Sequence, residues 1–138
     1  MDYLYHGSEG LYTELIPKKA MDEKYIEGNL KAVYATTSKW MAICFALGKR
    51  PGVSGNISRE ISEERGKVII FHEGKPNIGG VGYIYKLKRD GFIHIRGTQW
   101  VSFSPVKPIE VEKILVNDYL DYCIIKETDE NHISKFNI

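Results

Sequence analysis

Apolar and polar positions alternate along most of this chain, and the alternation stops at glycine- and proline-rich turns. Residues 3–6 alternate and end at Gly7-Ser8, which predicts a first strand with Leu4 and His6 on one face. Residues 30–36 predict a second, with Val33 and Ala35 on one face and Ala32 and Tyr34 on the other. Thr36-Thr37-Ser38 then offers three candidate N-caps to an amphipathic run. Trp40, Ile43, Cys44 and Leu47 follow at helical spacing, and Gly48 supplies a stop. Further strands are predicted over 67–72, 81–87, 92–96, 99–103 and 111–116.

The remaining segments read as connections. Residues 9–17 are irregular, and the charged stretch 18–28 predicts a solvated loop or one helical turn. Residues 48–66 form a long surface excursion, with a short helix over 58–65 that Ser58 would cap. Gly, Pro and Asn make 73–82 a loop, and 119–125 carries no assignable state. Gly79-Gly80-Val81-Gly82 lacks the Gly-Lys-Ser/Thr ending of a phosphate loop and precedes a strand, so it reads as a hairpin loop.

Strands outnumber helices, and most connections between them are too short for parallel crossovers. The expected class is therefore α+β: mainly antiparallel sheets with one or two flanking helices. A length of 138 residues allows one domain, assigned here to residues 1–125, with a polar C-terminal tail at 126–138.

Charge and cysteine usage narrow the picture. Nineteen basic residues against eighteen acidic ones give a net charge of +1, without the overall footprint of a general nucleic-acid binder. Cys44 and Cys123 each sit in an apolar segment, far from any Cys-x-x-Cys spacing, and read as reduced, buried small hydrophobes. No basic region followed by an apolar run opens the chain, and no stretch has the length to cross a bilayer, so a cytoplasmic location is expected. His72-Glu73 lacks a second histidine at zinc spacing, position 76 being proline; no metal is expected.

The chemistry concentrates at two strand ends. His6 followed by Gly7 and Ser8 puts an imidazole beside a residue without a side chain, where a ligand can approach the main-chain N–H and C=O. Tyr34 ends a second strand just before a helix. Together they can hold a flat polar ring by its edge and its face, a nucleotide-shaped slot. Each residue also has a plainer reading, His6 as a satisfied core histidine and Tyr34 as a packed strand aromatic. His94 and Arg96 share one face of their strand by alternation and could contact phosphate or form a solvated sheet face.

Three patches in order resemble the ADP-ribosyltransferase superfamily, specifically its poly(ADP-ribose) polymerase/diphtheria-toxin-like branch. Tyr5-His6-Gly7-Ser8 is similar to the His-Gly-Ser/Thr motif of that branch. Val33-Tyr34-Ala35-Thr36-Thr37-Ser38, with Ala42 and Phe45, resembles its Tyr motif. Gln99-Trp100-Val101-Ser102-Phe103, with Pro108 and residues 111–116 beyond it, resembles its third motif, where a glutamate would begin the strand. The resemblance covers roughly residues 3–116 and has no counterpart for 48–66.

It implies a split antiparallel sheet and NAD as substrate. The Gly7 main chain would hold the nicotinamide carboxamide, with Ser8 bonding its amide and His6 bonding the adenosine ribose. Nicotinamide would stack on Tyr34, with Phe45 closing the opposite face. Gln99 departs from the pattern: it can hydrogen-bond a ribose hydroxyl but carries no charge, so polymer elongation is not expected. Glu110 and Glu112 are near in sequence, but nothing in their strand directs them to the site.

The implied activity is mono-ADP-ribosyl transfer to a protein, nucleic acid or small molecule, with nicotinamide released. The alternatives are a non-catalytic module binding NAD or ADP-ribose, and an RNA 2′-phosphotransferase-like enzyme of the same fold, which would use His and Arg on phosphate.

Overall fold

The computed structural model describes residues 3–19, 30–62 and 67–126. Among these residues the architecture is α+β, two sheets with one α-helix between them. The strands are β1 (Tyr3–Ser8), β2 (Lys18–Lys19), β3 (Lys31–Thr36), β4 (Ser58–Ser62), β5 (Val68–Glu73), β6 (Val81–Lys88), β7 (Ile93–Arg96), β8 (Gln99–Ser102), β9 (Glu110–Leu115) and β10 (Cys123–Ile125). Helix α1 spans Lys39–Ala46, and a 3₁₀ helix spans Val116–Tyr122.

The larger sheet runs β7-β8-β3-β1-β6-β9, with β2 also paired to β3, and every pairing in it is antiparallel. The smaller sheet is β10-β5-β4, where β10 adds parallel to β5. The 119–125 stretch, unreadable from its pattern, is thus half 3₁₀ turn and half strand.

Helix α1 starts where the cap signal lies: the Ser38 hydroxyl accepts from the Met41 N–H at 3.1 Å. It ends at Gly48, whose φ of 72° suits a residue without a side chain. The run is less one-sided than expected. Trp40, Ala42, Cys44 and Ala46 are all buried, because the helix is covered by the large sheet on one side and by Ile69 and Phe71 of β5 on another. On the opposite side of the large sheet, Leu4, Val33, Ala35, Tyr85 and Leu87 form a second core under the chain after β1.

Two glycines set how closely α1 lies on the sheet. A Cβ on Gly7 would overlap the Ala42 carbonyl group and sit 3.0 Å from Ala46 N. One on Gly82 would overlap the Ala46 carbonyl. Gly7 and Gly82 lie on adjacent strands, so the helix rests on bare backbone there.

The expected helix over 58–65 is not formed. Ser58–Ser62 is strand β4, paired with β5 through Ile61↔Ile69 and its neighbours. Arg59 and Ile61 turn inward at period two, a pattern the Glu and Ser content obscured. The rest of that expectation lies outside the described residues, as does most of the 18–28 stretch, of which Lys18 and Lys19 form β2. The tail from 127 on, including His132, is likewise outside them.

Candidate functional site

A window in the main-chain ladder lies at the centre of the large sheet. On one side β3 pairs with β8 from Val33 to Thr36. On the other it meets β1 only at Tyr5↔Thr36, and β2 at Lys18↔Ala32 and Lys19↔Lys31. Tyr34 falls between these two contacts.

The alternation of ladder bonds fixes which groups face this window. The Thr37 N–H bonds to the Thr98 carbonyl, on the β8 side, so the even-numbered residues of β3 turn their main chain toward β1 and β2. The Lys86 carbonyl accepts from Ile109 on the far side of β6. Tyr85 and its partner His6 therefore exchange bonds with each other, and Tyr5 and Gly7 turn their N–H and C=O toward β3. Gly7 thus aims both main-chain groups into the window.

His6 bridges it. Its Nδ1 lies 2.6 Å from the Tyr34 carbonyl oxygen. A carbonyl only accepts, so Nδ1 carries the proton and Nε2 of the neutral ring is left as an acceptor. Burial, the largest influence, lowers the His6 pKa, and the charge of Lys18 adds to that; the bond to Tyr34 opposes both. The ring also packs edge-on against Tyr85, 5.8 Å between centroids. The packing reading of His6 is therefore realised at one ring edge, and the site reading concerns the other, Nε2.

Tyr34 points to the opposite face from Val33 and Ala35, and its hydroxyl donates to the Leu30 carbonyl at 2.9 Å. Imidazole and phenol thus leave the sheet on different faces, and the bond across the window joins the imidazole to the Tyr34 main chain rather than to its ring. Ser8 accepts from the Gly10 N–H at 3.1 Å, which leaves its own hydroxyl proton to donate.

A cavity of about 1050 Å³ spans this region, and His6, Gly7, Ser8, Tyr34, Phe45 and Gln99 all line it. Three distant patches of sequence therefore converge on one cleft. Gln99 pairs with Thr36, which puts it on the same face as Tyr34. Phe45 is exposed on α1, off the buried set.

Three readings need correction. Gly7 does not owe its missing side chain to ligand approach, because a Cβ there would strike α1; only its main chain faces the cleft. His94 and Arg96 are not on one face. The register slips between them, so His94 lies opposite Trp100 and Arg96 opposite Gln99. His94 then bonds the Gly97 carbonyl at 2.8 Å and packs on Trp100, while Arg96 lines the cavity. The 48–66 excursion is not mere surface either, since Arg59 of β4 enters the cavity wall.

Charge in the cleft is one-sided. Lys18, Lys19, Lys49, Arg59 and Arg96 line it, against Glu14 alone among the described carboxylates. Glu14 has no motif to mark it. It is positioned by its neighbour, the buried Leu15, whose main chain exchanges two bonds with Val106 at 2.8 and 2.9 Å. Glu112 pairs instead with Lys39 at 3.0 Å, and Glu110 lies exposed on the outer strand β9.

Elsewhere, Cys44 and Cys123 are not disulfide-bonded, and burial pushes Cys123 up to about 11, far from the thiolate form at neutral pH. Among the described residues no three His, Cys, Asp or Glu side chains are grouped to hold a metal ion. No helix among them is long and apolar enough to cross a membrane. Comparison of the chain with protein-family models, curated proteins and solved structures finds no match.

Proposed function

We propose that this chain is an ADP-ribosyltransferase-like domain whose cleft binds NAD and transfers ADP-ribose to an acceptor, releasing nicotinamide. The observation that carries this reading is the window between β1 and β3, where Gly7 turns its main chain inward beside the His6 bridge to Tyr34. A carboxamide needs one donor and one acceptor side by side, and a main-chain N–H and C=O supply both. The nicotinamide ring then stacks on Tyr34, with Phe45 facing it from α1. Nε2 of neutral His6 accepts from a ribose hydroxyl, and the cationic lining suits a diphosphate.

In the reaction, the bond between the ribose anomeric carbon and the nicotinamide nitrogen breaks, and its electron pair leaves with nicotinamide. An acceptor nucleophile gives up its proton and bonds that carbon. Positive charge develops on the ribose meanwhile, and a fixed negative charge stabilises it. Gln99 can orient the ribose but cannot supply the charge. Glu14 is the described carboxylate that lines the cleft, and the reading gives it that role.

The neutral Gln99 also favours a second reading, a module that holds ADP-ribose without turnover. Incubation with NAD labelled in the nicotinamide ring separates the two. Transfer predicts release of label that His6→Ala and Tyr34→Ala abolish. No release, with calorimetric binding of ADP-ribose, selects the module, and no affinity for either ligand removes both.

A further inference from the structure

Arg59 is a cation that no sequence motif accounts for. It sits on β4, the outer strand of the small sheet, and reaches across to the C-terminal end of α1. Its guanidinium carbon lies 5.2 Å from the Phe45 ring centroid. Nη1 donates to the Cys44 and Gly48 carbonyls at 3.4 and 3.5 Å. Both are long beside the 2.7–2.9 Å of a good charge-assisted bond. Glu9, whose negative charge reaches it, is already held by Arg50 through two bonds of 2.6 and 3.2 Å.

A guanidinium that is largely out of water, long-bonded to two carbonyls and without a carboxylate hydrogen bond among the described residues is poorly compensated. Burial lowers its pKa, yet a guanidinium stays charged at any pH the fold experiences. The cavity that Arg59 lines is a direction from which further compensation can come. Lys49 lines the same wall at the end of α1, so the local field there favours an anion.

We propose that Arg59 is the phosphate anchor of the cleft, its planar fork gripping the diphosphate of a bound nucleotide beside the Phe45 ring. Naming the ligand as a dinucleotide rests on the function proposed above, whereas the anion site itself stands on the geometry of Arg59. The guanidinium lies over Phe45 by its face while its N–H edge is turned to the phosphate, so one residue fixes both the ring contact and the charge. The 48–66 excursion thereby gains a purpose: it folds back as β4 to deliver this group.

Calorimetric titration of the wild type, Arg59→Gln and Arg59→Lys tests this, using inorganic pyrophosphate, ADP-ribose, NAD and free nicotinamide. The expected result is a loss of about ten- to a hundredfold in affinity for pyrophosphate, ADP-ribose and NAD in Arg59→Gln. Nicotinamide binding should change less than about twofold, since it makes no charge-assisted bond. Arg59→Lys, which keeps the charge and the stem but not the fork, should lose less, and its melting temperature checks that the wall is intact.

If wild type binds NAD and Arg59→Gln binds it equally well, the anchor is wrong and the NAD reading survives. If pyrophosphate binds through Arg59 while NAD and nicotinamide do not, the anchor stands and the NAD reading falls. If wild type binds neither pyrophosphate nor ADP-ribose, the anchor is overturned outright.

Discussion

Substituting Gly7 by alanine probes the joint between fold and site. The added methyl would lie 2.7 Å from the Ala42 carbonyl carbon, closer still to its oxygen, and 3.0 Å from Ala46 N. These are main-chain atoms of α1, which cannot rotate aside as a side-chain tip would. To restore ordinary contact the helix must retreat from β1 by about 1.5 Å, or β1 must bend by as much. Overpacking of this kind costs about 2–3 kcal/mol, against a gain of a few tenths from replacing glycine in a strand.

For a domain of this size that is a fall in melting temperature of roughly 6–15 °C. The retreat would also carry Met41 and Phe45 outward, since both line the cavity from α1. Differential scanning calorimetry reads the first effect, and titration with nicotinamide the second. Gly82→Ala, whose methyl would meet the Ala46 carbonyl, should destabilise similarly. Because both strain the same helix, the double variant should cost less than the sum of the singles. A Gly7→Ala protein that melts within a degree or so of wild type would refute the claim that bare backbone supports the helix.

Acid should act through His6. Its pKa is held below 6.5, chiefly by burial, so the unfolded chain takes up a proton before the folded one does. The stability this contributes is full above pH 6.5 and is lost as pH falls toward the depressed folded value. Affinity for ADP-ribose should fall over the same window, because protonation turns the Nε2 acceptor into a donor; affinity that is flat below pH 6, with His6→Gln unchanged, would contradict this. Gln99→Glu should raise nicotinamide release from NAD, and unchanged release in a competent site would mean Gln99 is misplaced. Glu14→Gln should lower that release about ten- to a hundredfold while ADP-ribose still binds in calorimetry. Ser38→Ala should cost about 1 kcal/mol in urea unfolding through loss of the α1 cap, with no effect expected on the cleft charges.

The elements that the sequence announced are those where one local rule decides. Ser38, the 40/43/44/47 spacing and Gly48 are a cap, a face and a stop on one helix; the cap and the stop act as expected, while burial spreads beyond that face to Ala42 and Ala46. Strands β1, β3 and β8 show up as alternation, and their ends carried the quoted motifs. What stayed hidden depends on partners far away in the chain. A bulge at 94–96 reverses which side Arg96 faces, and no period-two count can register it. Arg59 and Ile61 looked helical because Ser58, Glu60 and the glutamates beyond are common in caps and first turns, whereas pairing with β5 decided their state. Glu14 reaches the cleft through a two-bond bridge between Leu15 and Val106, which lie far apart in the chain. The reason for Gly7 was legible as a need for close approach, but the approaching group is α1.

The most direct test is a crystal structure of the chain with an unreactive NAD analogue. The account requires the nicotinamide carboxamide within hydrogen-bond reach of the Gly7 main chain, its ring on Tyr34 and the diphosphate beside Arg59. A dinucleotide bound elsewhere, or seated in the cleft with its nicotinamide end away from Gly7 and Tyr34, would contradict it.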